Sequence, residues 1–506
     1  MALSIAGKAT GLFREIIVAA HFGTSEQMDA YLVASTIAGL MFVWLRTPIR
    51  VVLIPCFTEE LNTRGERPAW ENASVLLNSA TILLLMLAGI GWLLSPVMVA
   101  LIAPGFNQET QVLSTELTRL MMLTVVFLGL AKLLSAFYHS YQRFARPGMM
   151  GALDNVVIIP SVLVLAPFIG IYGLVISAVL GTLAQALIQA PILWQKRHYY
   201  KPELDLKNPA LRRMAWMSLP LLVATGGNKL DAIVDRVFAS LLRPGSLSAL
   251  SYGHRLTYAH YELFVTSLTT VLFPFFSKIA GIQDYDELGK KLFKSLRTMF
   301  WIVFPVSVAI LLLHEPLVRL VFQRGAFSEE SVMLTSQAVF FYAIGLSAYS
   351  LSHVLGFAFY SFKDTNTPVA LGLVRLGLKI VLSFVLVGPM AHAGLALAES
   401  LSFVVKAALL FFFLPAELRE QIGYQELFQS FGMTALTTGA VGGVVFFLLP
   451  VFESVFVIGE SFIATSMVLA AAVAVGAGTY LSFSLLLQPA ELRDLYRFVR
   501  AGFAKG

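Results

Sequence analysis

The sequence predicts an all-α, polytopic membrane protein with fourteen transmembrane helices: two parallel six-helix lobes followed by two further helices. Three observations predict it. The 506 residues are 57% apolar and 13% charged, where a soluble domain carries about 25% charged residues, and the mean hydropathy is +0.77. The apolar residues fall in long continuous runs, each of about 20 residues or more, the length a helix needs to cross the hydrocarbon core; barrel strands would be about 10 residues of alternating pattern. The chain also repeats itself. VVLIPCFTEEL at 51–61 matches TVLFPFFSKIA at 270–280, an offset of 219, and PVMVALIAPGF at 96–106 matches PLVRLVFQRGA at 316–326, an offset of 220. Pro147 pairs with Pro368 and Gly173-Leu174 with Gly394-Leu395, both at 221. Four matches at nearly one offset mark an internal duplication.

Spans are expected at 2–22, 28–58, 73–103, 110–141, 148–168, 170–195, 211–241, 247–280, 294–314, 330–361, 366–388, 391–414, 427–450 and 459–487. The longer ones should tilt or project beyond the bilayer, and no segment between them is large enough for an extramembrane domain. Residues 1–205 form an N-lobe of spans 1–6, 206–420 a C-lobe of spans 7–12, and 421–506 hold spans 13–14 and a tail. An even number of helices per repeat makes the two copies parallel, an arrangement that supports alternating access by rocking of one lobe against the other.

Span 1 carries Lys8, Arg14 and Glu15 and shows no cleavable signal-peptide pattern. Ser25 or Thr24 is placed to cap span 2. Span 2 contains VWLRTPIRVV, 43–52, where Arg46 and Arg50 share a face, about 5.4 Å apart along the axis. Pro48 between them removes one backbone hydrogen bond and can bend the helix. The carbonyl it frees is tolerated only beside water or protein. Lys132 on span 4 and Lys406 on span 12 fit snorkelling or internal pairing as well as they fit a cavity lining. Span 7 reads GGNKLDAIVDRV, with Lys229, Asp231, Asp235 and Arg236; span 8 holds Arg255 and Glu262, and span 11 holds Arg375 and Lys379. The remaining spans are read from apolar length alone.

Ionisable groups within spans face a bundle interior or a water-filled cavity. For Asp235–Arg236 and Glu262 internal pairing is the favoured reading. For Arg14, Arg46, Arg50 and Arg255 it is a cavity lining, because the cationic excess on spans 1, 2 and 8 has no local neutralising charge. A basic cavity suits an anionic substrate, since guanidinium groups bind phosphate oxygens in pairs. A polar head could cross there while an apolar tail stays in lipid.

Loop charge sets the orientation. With the N-terminus inside, the inner loops, their flanking helix ends and the C-terminal tail hold 21 of the 36 Lys and Arg, and the outer loops hold three, Arg243, Arg319 and Arg324. Both termini are therefore expected to be cytoplasmic. Cys56 is the single cysteine, which excludes a disulfide framework and a thiolate cluster. The sequence has no P-loop, no metal-ligand cluster and no nucleophile constellation, so neither an enzyme nor a cofactor is expected, and nucleic-acid binding drops out with the soluble folds. His254 precedes Arg255 and could touch substrate, but a loop or helix-end role is the favoured reading. A cation-coupled exporter of small amphiphiles would favour acidic cavity residues. A non-transporting scaffold would find little surface in loops this short.

GLFREIIVAAHFGTSEQMDAYLVA, SALSYGHRL, LFPFFSK, LVFQRGAFSEES and FYSFKDTNTPVALGLV resemble the MurJ (MviN) family of lipid II flippases, within the multidrug/oligosaccharidyl-lipid/polysaccharide exporter superfamily. The resemblance covers spans 1–12 in order. It implies transport of an undecaprenyl-pyrophosphate-linked peptidoglycan precursor across the bacterial inner membrane, through a basic central cavity, with a lateral groove at spans 13–14 for the lipid tail. It implies a monomer, with lipid II and membrane lipids as partners and cell-wall synthesis proteins as further ones. Arg14 and Arg255 match the family's cavity arginines; Asp29 matches a common family position and reads as structural or gating, and Glu262 is assigned a gating role. Two departures stand out. Before the Val-Pro that ends span 2, members carry Pro-Asn, an arginine-rich stretch and Glu-Gly-Ala. This chain has IAGLMFVWLRTPIRVVLIP, with Met41 and Phe42 at the arginine positions and the acidic residue gone. That keeps another polyprenyl-linked cargo, an O-antigen or exopolysaccharide unit, as the alternative. On span 11, where some members hold sodium against an acidic residue of span 7, the positions read Lys379 and Ser383. The expectation is that the Lys379 ammonium takes the place of the ion, paired with Asp231 or Asp235, so that transport does not depend on sodium.

Overall fold

The computed structural model describes residues 2–205, 207–209, 211–214, 216–218, 230–282, 284–419, 423–456 and 462–487. The chain divides into two compact units, Met1–Ser248 with Arg324–Ser328, and Ala249–Gln323 with Glu329–Gly506.

In unit 1, α1 is Ala2–Phe22 and α2 is Glu26–Pro48. Ser25 caps α2, its Oγ accepting from the Met28 N–H at 3.2 Å. Directly after Pro48 the backbone widens into one π-helical turn, Ile49–Leu53, before α3, Ile54–Arg64. The expected disturbance at Pro48 thus takes the form of a π-turn, a feature that recurs at functional sites. α4 (Glu66–Ile102), α5 (Gln108–Ser140), α6 (Ala145–Ile169), α7 (Ile171–Gln189) and the short α8 (Pro191–Gln195) follow. Asn107 caps α5 by accepting from the Thr110 N–H at 2.8 Å. Phe57, Trp70 and Phe137 pack as a buried aromatic cluster. Trp70 donates to the Tyr141 hydroxyl at 2.8 Å, which donates to Glu66 at 2.7 Å, and Glu66 also pairs with Lys196. The basic segment after α8 is strapped to α4, since Asn78 donates to the carbonyls of Lys201 and Glu203. Expected span 7 lies largely outside the described residues, which resume with α9, Leu230–Ser240.

α10 (Ser246–Gly281) leads into unit 2, which continues with α11 (Tyr285–Phe322), α12 (Glu329–Ser361), α13 (Asn366–Phe412), α14 (Ala416–Arg419), α15 (Tyr424–Phe456) and α16 (Phe462–Leu487). Asp364 caps α13 through the Thr367 N–H at 3.0 Å, and that amide holds its carboxyl below the usual carboxylate range. α11 kinks at Leu313, between Pro305 and Pro316, as expected where a ring removes a helix hydrogen bond. α15 and α16 pack on α11, with the buried Tyr480 donating to the Trp301 carbonyl at 2.8 Å.

Among the described residues nine helical segments are long and apolar enough to cross a membrane: α4, α5, α6, α7 with α8, α11, α12, α13, α15 and α16. Their outer faces carry large apolar side chains in the open, such as Phe168 at 83%, Phe384 at 75% and Phe447 at 78% exposure. Extensive exposed apolar surface fits lipid and not water.

The duplication is visible in the backbone. Expected spans 11 and 12 form one continuous element, α13, turned at a single residue, Ala391 (φ 49°, ψ −132°). At the equivalent point 221 residues earlier, Gly170 adopts the same conformation (φ 56°, ψ −134°) between α6 and α7. Gln142 (φ 56°) and Lys363 (φ 59°) are related by the same offset. The turn also explains the matched glycines. A Cβ on Gly173 would lie 2.8 Å from the Ala166 nitrogen, and one on Gly394 would lie 2.4 Å from the Leu386 carbonyl oxygen.

Candidate functional site

In unit 1 the intramembrane charges converge on α1, α6 and α7. Asn155 of α6 donates to the Gly7 carbonyl at 3.0 Å and the Thr10 hydroxyl at 3.1 Å, which fixes α1 against α6. One turn above Thr10, Arg14 reaches Glu15 at 3.1 Å and Asp154 at 3.4 Å. The other oxygen of Asp154 accepts from Gln185 of α7 at 2.8 Å. Lys132 of α5 contributes to the field at Asp154. This corrects the expectation that the charge on span 1 lacks local compensation: Arg14 is a half-buried guanidinium oriented by two carboxylates. Those contacts use one N–H on each of its terminal nitrogens, out of five donors.

Asp29, 2% exposed in the first turn of α2, accepts from the backbone N–H groups of Gly245 and Ser248. Arg236 of α9 donates to the Thr36 hydroxyl at 3.2 Å, and Asp231 and Asp235 are half-buried on the same helix. The side chains of Arg46, Arg50 and Glu262 lie outside the described residues, as does Lys229.

In unit 2, Arg255 is exposed in the third turn of α10. Its neighbour His254 is not a helix-end residue; it lies within α10 and stacks on the buried Tyr258 at 4.3 Å. Arg375, Lys379 and Ser383 form one stripe along α13 and are 6%, 1% and 0% exposed. Across the Ala391 turn, Glu399 meets Lys379 at 2.5 Å and Arg375 at 3.6 Å. The Arg375 guanidinium also lies 4.5 Å over the Phe403 ring. The structure thus supplies Lys379 with a carboxylate from its own helix, Glu399, which the reading of span 11 did not name. Asp231 and Asp235 belong to unit 1.

Asp154, Gln185 and Glu399 are not singled out by the cationic excess on spans 1, 2 and 8. A lone carboxylate in an apolar run such as ALAESLSF is as costly in lipid as an arginine and carries the same signal. The duplication points to Asp154 and Gln185 too, though not to Glu399, whose counterpart is Ala178. At the offset of 221, Arg14-Glu15 corresponds to Asp235-Arg236, Asp154 to Arg375, Lys132 to His353 and Gln185 to Lys406. Both halves keep polar groups at these positions, and the charge signs are exchanged at the first three, Arg14/Asp235, Glu15/Arg236 and Asp154/Arg375.

Unit 2 also holds an apolar cavity of about 580 Å³ between α11, α15 and α16, lined by Trp301, Pro305, Leu312, Val441, Val445 and Tyr480 among others.

A polytopic helical bundle with duplicated halves and paired charges inside its spans is a membrane transporter. Its fold is shared with an inward-facing multidrug resistance MATE family transporter of the MOP superfamily, at TM-score 0.68 and 13% identity over 83% of this chain and 98% of that one. The family model for lipid II flippase MurJ matches residues 18–488, and the chain belongs to that family. A probable lipid II flippase MurJ from Buchnera aphidicola subsp. Acyrthosiphon pisum is 28% identical over 422 residues, 81% of each chain. The structure of a lipid II flippase MurJ in an inward closed conformation superposes at TM-score 0.80, with 21% identity over 98% of this chain and 99% of that one.

Proposed function

We propose that this chain flips lipid II, an undecaprenyl-pyrophosphate-linked peptidoglycan precursor, from the inner to the outer leaflet of the bacterial inner membrane. Membership of the family supports the cargo. The observation that carries the mechanism is Arg14, an intramembrane guanidinium oriented by Glu15 and Asp154 with donors left for a diphosphate oxygen. Arg255, with Arg46 and Arg50, completes the anion-binding set, and Asp29 and Glu262 gate access. The cavity at α11, α15 and α16 seats the polyprenyl chain; its apolar wall supports that reading. Asp231 and Asp235 couple transport to the charge state of α9, and the Lys379–Glu399 pair supplies a fixed cation, so flipping proceeds without sodium. Fourteen spans with both termini cytoplasmic, acting as a monomer by alternating access, complete the reading. The loop charge asymmetry supports the orientation.

The second reading keeps the mechanism and exchanges the cargo for another polyprenyl-linked oligosaccharide. It is favoured by the altered span 2 with its π-turn at Ile49–Leu53. Depletion of the native lipid II flippase in a bacterial host that expresses this chain separates the two. Growth rescue that is lost in Arg14→Ala and Arg255→Ala is the expected result. Absence of rescue at full membrane expression would assign the other cargo.

A further inference from the structure

Unit 2 contains a second cavity, of about 570 Å³, whose walls are Leu296 of α11, Leu355 of α12, Phe411 of α13 and Phe428 of α15. Its size lies within the roughly 300–1,000 Å³ of small-molecule pockets. The Phe411 ring packs edge-on against Tyr424 at 5.4 Å and Phe428 at 6.2 Å, which gives a deep apolar slot. Two polar groups close one end. Arg419, the last residue of α14, is exposed and makes no ion pair with any described residue. The Tyr424 hydroxyl is buried and has no hydrogen-bond partner among the described residues. α14 packs against α11, whose first turns read YDELGKKLFKSLR, 285–297, with Lys290 paired to Asp286.

A purely apolar occupant would leave the buried Tyr424 hydroxyl unanswered, and a buried donor without an acceptor is costly, while the Arg419 guanidinium at the mouth would meet no anion. A soluble anion would leave the slot unfilled. The chemistry that answers both is an acyl chain joined to a phosphate. We propose that this cavity is an accessory site for an anionic phospholipid of the surrounding bilayer. One acyl chain lies between α11, α12, α13 and α15, and the phosphate oxygens accept from Arg419 and Tyr424. The site is separate from the cavity at α11, α15 and α16, and it anchors the start of α15 to the leaflet at which α14 lies.

The test uses the full-length protein in phosphatidylethanolamine vesicles doped with phosphatidylglycerol that carries a photoreactive diazirine in one acyl chain. Crosslinks are expected on peptides that contain Leu355, Phe411 and Phe428. Arg419→Gln should lower them about fivefold, the effect of one basic residue at an anionic surface, and Arg419→Lys should retain them. Leu355→Trp should fill the slot and abolish them. Three results would overturn the proposal: equal labelling in Arg419→Gln, equal labelling by the phosphatidylcholine analogue, or stronger displacement by undecaprenyl phosphate than by unlabelled phosphatidylglycerol. The last would assign the cavity to a polyprenyl chain.

Discussion

The two carboxylate oxygens of Asp29 accept hydrogen bonds from the backbone N–H groups of Gly245 and Ser248, each at 2.7 Å. A side chain from the first turn of α2 thereby caps the N-terminus of α10, where orphan donors and the helix dipole both favour negative charge. Asp29→Asn keeps one acceptor but turns an amide NH₂ toward the other N–H. The loss of a charge-assisted cap is worth roughly 1.4 kcal/mol, so the amides of Gly245 and Ser248 should exchange with deuterium about tenfold faster. Unchanged exchange in the variant would show that the cap is not what holds this turn.

Ala391 and Gly170 adopt one conformation at equivalent places of the duplication, but only one of them is glycine. A Cβ at φ 49°, ψ −132° is strained. Ala391→Gly should therefore stabilise unit 2 by about 1 kcal/mol and raise its thermal midpoint in detergent. Gly170→Ala should lower the midpoint by a similar amount. Opposite signs for the two substitutions are the signature of the shared turn.

Arg14 is oriented by Glu15 and Asp154. If its fork engages a diphosphate, Arg14→Lys fails as completely as Arg14→Ala, because an ammonium cannot reproduce two directed donors. Both should lose growth rescue at unchanged membrane abundance. Asp154→Asn retains an acceptor for Gln185 and should lose flipping only in part. Full rescue by Arg14→Lys would reduce Arg14 to a generic positive charge.

Much of this was legible before the structure. Apolar run length placed the nine described helices that are long and apolar enough to span, and the offset near 220 anticipated the paired turns at Gly170 and Ala391. Pro48 marked a helix disturbance that the backbone resolves as a π-turn. The pairing of charges was not legible. Run length and spacing locate a residue along a helix axis but say nothing of which distant helix faces it. Arg14 meets Asp154 across 140 residues, and Lys379 meets Glu399 only because the chain reverses at Ala391, a residue whose type gives no sign of a left-handed turn. A glycine there, as at Gly170, would have announced it.

The Lys379–Glu399 pair makes the last prediction. Both side chains are almost wholly removed from solvent, at 1% and 11% exposure, with nitrogen and oxygen 2.5 Å apart. Removal of one partner of such a pair leaves an uncompensated buried charge and costs about 3–5 kcal/mol, whereas replacement of both by apolar groups of similar size is often neutral. Glu399→Leu, which also removes the carboxylate 3.6 Å from Arg375, should lower the thermal midpoint sharply. Lys379→Met alone should do so less, since Arg375 remains to face Glu399. The double variant Lys379→Met, Glu399→Leu should recover stability relative to Glu399→Leu. The same set separates packing from transport: if the ammonium serves in place of an external cation, the stable double variant should lose flipping or acquire a dependence on sodium, while the wild type flips equally in sodium and potassium. Sodium stimulation of the wild type would leave the pair as a structural element of α13 alone.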